Sequence, residues 1–198
     1  NQSVYSISIS GNNIFAGTYG VYLSTNNGQS WTQTGLNNQS VYSIAISGNN
    51  IFAGTSGNGV YLSTNNGQSW TQTALNNRTV YSLAISGNNI FAGTDYNGVF
   101  LSTNNGQNWT QTALNNRDVK ALVISGNNIF AGTWGNGVYL STNNGQSWTQ
   151  TALNNQCVYS LAISGNNIFA GTYDYGVYLS TNNGQNWIQK NQGFNFTP

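Results

Sequence analysis

The sequence predicts an all-β fold, a five-bladed propeller with four antiparallel strands per blade and no strand-swapped closure. Three observations carry this. The turn Ser63-Thr64-Asn65-Asn66-Gly67-Gln68-Ser69-Trp70 recurs at Ser24–Trp31, Ser102–Trp109, Ser141–Trp148 and Ser180–Trp187. The copies are spaced 39 residues apart from Val41 to Val80, Val119 and Val158, and 37 from Val4 to Val41. Between the turns lie short β-branched and aromatic runs, and none keeps a helical period over about ten residues. A fixed period of this size marks units that cannot bury their apolar faces alone and must stack on their neighbours.

The second copy shows the elements in order. Val41-Tyr42-Ser43-Ile44-Ala45-Ile46-Ser47 is a β-rich run, strand A, closed by the turn Gly48-Asn49-Asn50. Ile51–Thr55 is strand B, and the loop Ser56-Gly57-Asn58-Gly59 leads to strand C, Val60–Ser63. The recurring turn then leads through Trp70 into strand D, Thr71-Gln72-Thr73. Strict alternation places Tyr42, Ile44 and Ile46 on one face of strand A, and Val41, Ser43 and Ala45 on the other. Both faces pack without charge, so strand A is expected inside; polar strand D suits an outer edge. A meander of this kind repeated radially is a propeller blade. The blades fall at about 1–36, 37–75, 76–114, 115–153 and 154–198. The first is short because Thr18-Tyr19-Gly20-Val21 has the smallest B–C loop. Each blade is contiguous in sequence, so the first and last are expected to meet by side-chain packing alone. The tail Gly193-Phe194-Asn195-Phe196 is a candidate to seal that seam. The alternative is a fragment of a longer array, or a chain that closes only as an oligomer.

Charged residues make up 4% of the chain and the net charge is +1. That leaves no electrostatic case for nucleic acid or an anionic membrane as a partner. No run approaches the roughly 20 apolar residues of a membrane helix. The single cysteine, Cys157, stands where other copies carry Ser3, Ser40, Thr79 and Asp118, and reads as a serine-like loop position. It does not fix the compartment, which stays open with an extracellular or periplasmic location favoured. The chain begins inside a repeat, as a processed or excised product would.

The turn Ser63-x-Asn65-x-Gly67-x-x-Trp70 resembles the Asp-box, or BNR, repeat, with Asn in place of its Asp. All five copies match, covering essentially the whole chain. That family includes sialidases, sortilin-type receptors and photosystem II assembly factors. The resemblance implies a propeller with this turn between the third and fourth strands of each blade. Asn26, Asn65, Asn104, Asn143 and Asn182 keep a carbonyl acceptor of the same reach as Asp. The Gly supplies a backbone angle that a Cβ would penalise. The Trp is expected to bury its ring between strands C and D and the next blade, so the turn reads as structural.

Comparing copies locates the variation. The A–B and C–D turns are constant, whereas the B–C loops and D–A connections differ. In an up-and-down meander the variable segments share one pole. Six of the seven charges lie on or beside them: Arg78, Asp95, Arg117, Asp118, Lys120 and Asp174. Lys190 falls toward the same side. Trp134, the one Trp outside the recurring turns, is there too. Candidate ligand-binding residues are therefore Tyr19, Tyr96, Trp134, Tyr173 and Tyr175 for stacking, with Arg78, Asp95, Arg117 and Asp174 as orienting polar groups. Surface drift gives variable loops without a ligand. Against drift, the A–B turn is also on the surface and is constant.

Catalysis is not expected. With no His and no Glu, a Ser-His-Asp device is impossible and the acids are three Asp residues. The catalytic set of the sialidases does not carry over, since only Arg78 and Arg117 are arginines. Asp95 and Asp118 flank one inter-blade cleft and could form a glycosidase pair, but an Asp beside Arg117 and Lys120 reads better as an ion-paired surface group. No metal or cofactor is expected. The expected function is a non-catalytic, lectin-like recognition module that binds a glycan or a protein as a monomer. The competing reading is a recently amplified or engineered symmetric propeller with no evolved ligand.

Overall fold

The computed structural model describes residues 2–194. These form five four-stranded antiparallel sheets, each with its strands in sequence order. In the third blade, strands A to D are Val80–Ser86, Asn89–Thr94, Gly98–Ser102 and Thr110–Gln111. The A strands of the five blades are Ser6–Ser10, Val41–Ser47, Val80–Ser86, Val119–Ser125 and Val158–Ser164, and from the first to the fifth each lies against the next. Strand A is therefore innermost, and the exposed two-residue strand D is the rim.

The core is divided among the blade interfaces. Phe15, Val21 and Leu36 of blade 1 pack against Val41, Ile44, Ile51 and Ala53 of blade 2, and the same set recurs at the three following interfaces. Blades 1 to 4 thus have a front face of Phe, Val and Leu, and blades 2 to 5 a back face of Val, Ile or Leu, Ile and Ala. Burial of each large side chain contributes about 1.5–3 kcal/mol. Glycine lets the sheets approach. A Cβ on Gly54 would lie 2.7 Å from Val80 Cγ1 of the next blade.

The recurring turn is held by its own side chains. Ser63 Oγ donates to Asn65 Oδ1 at 3.0 Å and accepts from Gly67 N at 2.9 Å. Asn65 Oδ1 also accepts from Ser69 N at 3.0 Å, while Asn65 Nδ2 donates to Ser69 Oγ at 2.8 Å. A carboxylate in its place could not donate, and would instead accept from the Ser69 hydroxyl. Asn66 sits at φ 56° and Gly67 at φ 82°, the left-handed region that Asn and Gly tolerate best.

Three expectations are corrected. First, strand A does not alternate strictly. Val41 pairs with Thr55 and Ser43 with Gly54, so Tyr42 is the extra residue of a β-bulge. The bulge returns Val41 to the back face beside Ile44 and frees Tyr42 from the ladder. Tyr81, Lys120 and Tyr159 occupy the same bulged position. Second, the Trp packs on the preceding blade. Trp70 lies against the cluster formed by blades 1 and 2, and its Nε1 donates to Thr34 Oγ1 of blade 1 at 3.3 Å. Third, the first and last blades do not meet as the others do. Val4 is 55% exposed, whereas Val41, Val80, Val119 and Val158 are fully buried. Of the proposed seal, Asn195 and Phe196 lie outside the described residues.

Candidate functional site

The B–C loops and D–A connections are joined by one repeated backbone bond. Ser56 N donates to Ser40 O, Asp95 N to Thr79 O, Trp134 N to Asp118 O and Tyr173 N to Cys157 O, at 2.9–3.1 Å. The variable segments therefore share one pole, each loop clamped to the start of its own strand A. In blade 1 the short loop instead places Tyr19 in a bridge with Ser40 of blade 2.

At this pole the bulged side chains form a series around the inner strands. The Tyr5 and Tyr42 rings meet edge to face at 5.2 Å, and Tyr42 stacks on Tyr81 at 5.6 Å. Lys120 Nζ stands 3.4 Å from the centroid of the Tyr81 ring, a cation–π contact. On its other side Lys120 Nζ meets Asp118 Oδ2 at 3.0 Å, with both side chains largely covered. Burial works against the Lys120 ammonium, but the bonds to Asp118 and Tyr81 outweigh it and hold its pKa above the ordinary 10.5. Burial pushes the Asp118 carboxyl above its ordinary value despite Lys120, and the charge of Asp95 adds to the rise. Asp118 Oδ1 is buried with no hydrogen-bond partner.

Next to this pair lies an aromatic cluster. Trp134 meets Tyr159 edge to face at 5.3 Å and Tyr173 at 5.9 Å, and Tyr159 meets Tyr173 at 5.7 Å. All three rings keep open surface: Trp134 is 42% exposed and Tyr173 64%. Exposed rings buttressing one another present an apolar platform held in place by packing, with an ion pair alongside.

Of the nine sequence candidates, the structure joins Trp134 directly to Tyr173. Asp95 acts on the neighbouring Asp118 through its charge. Arg117 is turned elsewhere: its Nε donates to Tyr139 Oη at 3.1 Å and its Nη1 to Asn116. Tyr96 is exposed at φ 54° on its loop tip. Tyr175 is exposed, and its carbonyl accepts from Gln189 and Asn191. Among the described residues, no ring contact or ion pair links Tyr19, Arg78 or Asp174 to the cluster. Sequence reading missed Tyr5, Tyr42, Tyr81 and Tyr159. The available signal was a Tyr directly after the first Val of strand A in four of five copies, with Lys120 in the remaining one. The Asp118 pairing was expected with Arg117 and Lys120 beside it; the partner is Lys120, and the pair is covered rather than at the surface.

Residues 1–118 match the DUF6242 beta propeller domain. Among solved structures, an ancestral GH74 enzyme is similar with a TM-score of 0.82 and 26% identity, over 97% of this chain and 31% of the enzyme. The extracellular domain of a B. thetaiotaomicron protein described as a one-component system gives 0.77 and 25% identity, over 90% of this chain and 27% of that one. The computationally designed Ika8 protein gives 0.77 at 13% identity, over 94% of this chain and 60% of Ika8, a likeness of fold alone. This chain therefore spans less than two thirds of each of these relatives. No curated protein matches the sequence.

Proposed function

We propose, for a chain that belongs to the DUF6242 beta propeller domain family, a non-catalytic recognition module whose ligand sits on the variable pole. The observation that carries this reading is the exposed Trp134–Tyr159–Tyr173 platform beside the Asp118–Lys120 pair. Solvent-facing aromatic rings are costly, and clustered ones mark contact sites. Rings flanked by a fixed polar pair suit a sugar ring, which offers an apolar face and hydroxyl edges, or an aromatic-containing peptide. Tyr173 and Trp134 supply stacking surface. Asp95 is a polar group beside Asp118, Arg78 and Asp174 are orienting polar groups on the same variable segments, and Tyr19, Tyr96, Tyr175 and Arg117 are peripheral. The repeated turn remains structural in this reading, an Asp-box whose Asn adds an amide donor. An extracellular or periplasmic setting fits a glycan ligand.

Hydrolysis by Asp95 and Asp118 is disfavoured, because one oxygen of Asp118 is committed to Lys120. Activity of the chain on a glycoside panel, lost in Asp118→Asn, would revive it. A second reading rests on a different observation. The A–B and C–D turns are identical or nearly so in all five blades, as in a freshly amplified or engineered symmetric propeller with no evolved ligand. A glycan array and a peptide library probed with the chain separate the two. Recognition requires a hit that Trp134→Ala abolishes; the scaffold reading requires both screens to stay blank.

A further inference from the structure

The two end faces of the blade series are halves of an interface that the chain builds four times internally. Blade 1 exposes its back face. Ile7 is 64% exposed, against 6% for the equivalent Ile44. Val4, Ile7, Ala16, Tyr22 and Trp31 line an open concavity of about 400 Å³. In blade 2 the equivalents Val41, Ile44, Ala53, Tyr61 and Trp70 are covered by the front face of blade 1. Blade 5 exposes its front face. Ala162 is exposed and Phe169 only half-buried, whereas Phe15, Phe52, Phe91 and Phe130 are buried under a following blade.

The polar groups at the two ends also match. At the first three interior interfaces a strand-A Ser accepts the backbone N–H of the next blade, Ser6 from Ile44 at 3.0 Å, Ser43 from Leu83 at 3.0 Å and Ser82 from Leu122 at 2.9 Å, whereas blade 4 carries Ala121 at that position. Blade 5 keeps this acceptor in the exposed Ser160, and blade 1 keeps the corresponding donor at Ile7 N. Likewise the N–H of Ala152 donates to Gly184 O of the following blade at 3.1 Å. Asn191 N and Gly28 O are the equivalent pair at the ends.

We propose that the front face of blade 5 docks on the back face of blade 1 in a second copy of this chain, head to tail. A heterologous contact of this kind closes into a ring when the rotation between copies allows. The expected particle is a dimer or larger closed oligomer rather than the monomer anticipated from sequence. The interface should be weaker than the internal four. Blade 5 carries Lys190, Asn191 and Gln192 where blade 4 has Thr151, Ala152 and Leu153. An ammonium cannot accept the indole N–H that Thr151 accepts from Trp187, leaving only the ring face for Lys190 to contact.

The test is the mass of the chain in solution by light scattering across a concentration series. The variants are Ile7→Asp and Ala162→Asp, chosen because both side chains are exposed within one copy, with circular dichroism to confirm folding. The expected results are a wild-type mass of at least twice 21.3 kDa that falls on dilution, and a mass near 21.3 kDa for each variant alone. An equimolar mixture of the two variants is expected to form a one-to-one complex, since together they retain one intact pair of faces. A wild-type chain that stays at 21.3 kDa at every concentration overturns the proposal, because the ring then closes on itself or its ends stay bare. An oligomer lost with Ile7→Asp but kept with Ala162→Asp also overturns it, because the contact is then back to back.

Discussion

The two poles of this molecule use tryptophan in opposite ways. At the C–D turns, Trp70, Trp109, Trp148 and Trp187 are half-buried, and each donates its indole N–H to a Thr of the preceding blade at 3.2–3.3 Å. At the B–C pole Trp134 is exposed, donates to no side chain among the described residues and leans on two tyrosines. The difference separates a residue that holds blades together from one free to hold something else. Substitutions at the first pole should cost stability, and those at the second should cost binding.

The largest effect belongs to the interfaces. Phe91→Ala should destabilise by about 4 kcal/mol in urea denaturation, because Phe91 is fully buried between blades. Phe169→Ala, at the uncovered end, should cost less than half of that in the monomer; equal losses would mean that the end face is covered. Trp109→Ala should cost about 3 kcal/mol and Trp31→Ala about 1, since among the described residues no blade packs over Trp31. Next comes the ion pair at the variable pole. Asp118→Ala leaves the covered ammonium of Lys120 without its partner and should cost about 3 kcal/mol, which Asp118→Ala combined with Lys120→Met should largely restore. Failure of the double variant to recover would place the energy of the pair elsewhere.

Sequence and structure agree where one unit's local chemistry decides the outcome. Strand ends, turn positions and the shared pole of the B–C and D–A segments follow from Gly, Asn and β-branched patterns that repeat in register. Agreement stops where a neighbour decides. An inserted residue leaves no mark on a seven-residue run, so the bulge at Tyr42 was hidden and its ring was assigned to the face of Ile44. The side on which Trp70 packs depends on which blade carries Thr34, and nothing within one repeat encodes that direction. Arg117 was drawn away by Tyr139, 22 positions further along the chain. The end faces are the extreme case: Val4 and Val41 have the same local sequence role and opposite burial, because among the described residues only Val41 is covered by another blade.

Smaller effects sharpen the contrast. Thr112→Val removes the acceptor for Trp148 Nε1 and should cost about 1 kcal/mol. Lys120 supplies one pH dependence at the variable pole. Its folded pKa is raised, so its stabilisation is complete below about 10.5 and is lost as pH rises through the higher folded value. The melting temperature of the wild type should therefore fall more steeply above pH 10.5 than that of Lys120→Met; parallel curves would show that the pair contributes nothing. Trp134→Ala should change stability by no more than about 0.5 kcal/mol.

The division of labour between the poles is tested most directly by calorimetric titration of the best-binding glycan or peptide into wild type, Trp134→Ala and Thr112→Val. The expected result is at least a tenfold loss of affinity in Trp134→Ala with an unchanged melting temperature, and wild-type affinity in Thr112→Val with a lowered one. Equal affinity in wild type and Trp134→Ala, with loss in Thr112→Val, would contradict it and move the site to the opposite pole.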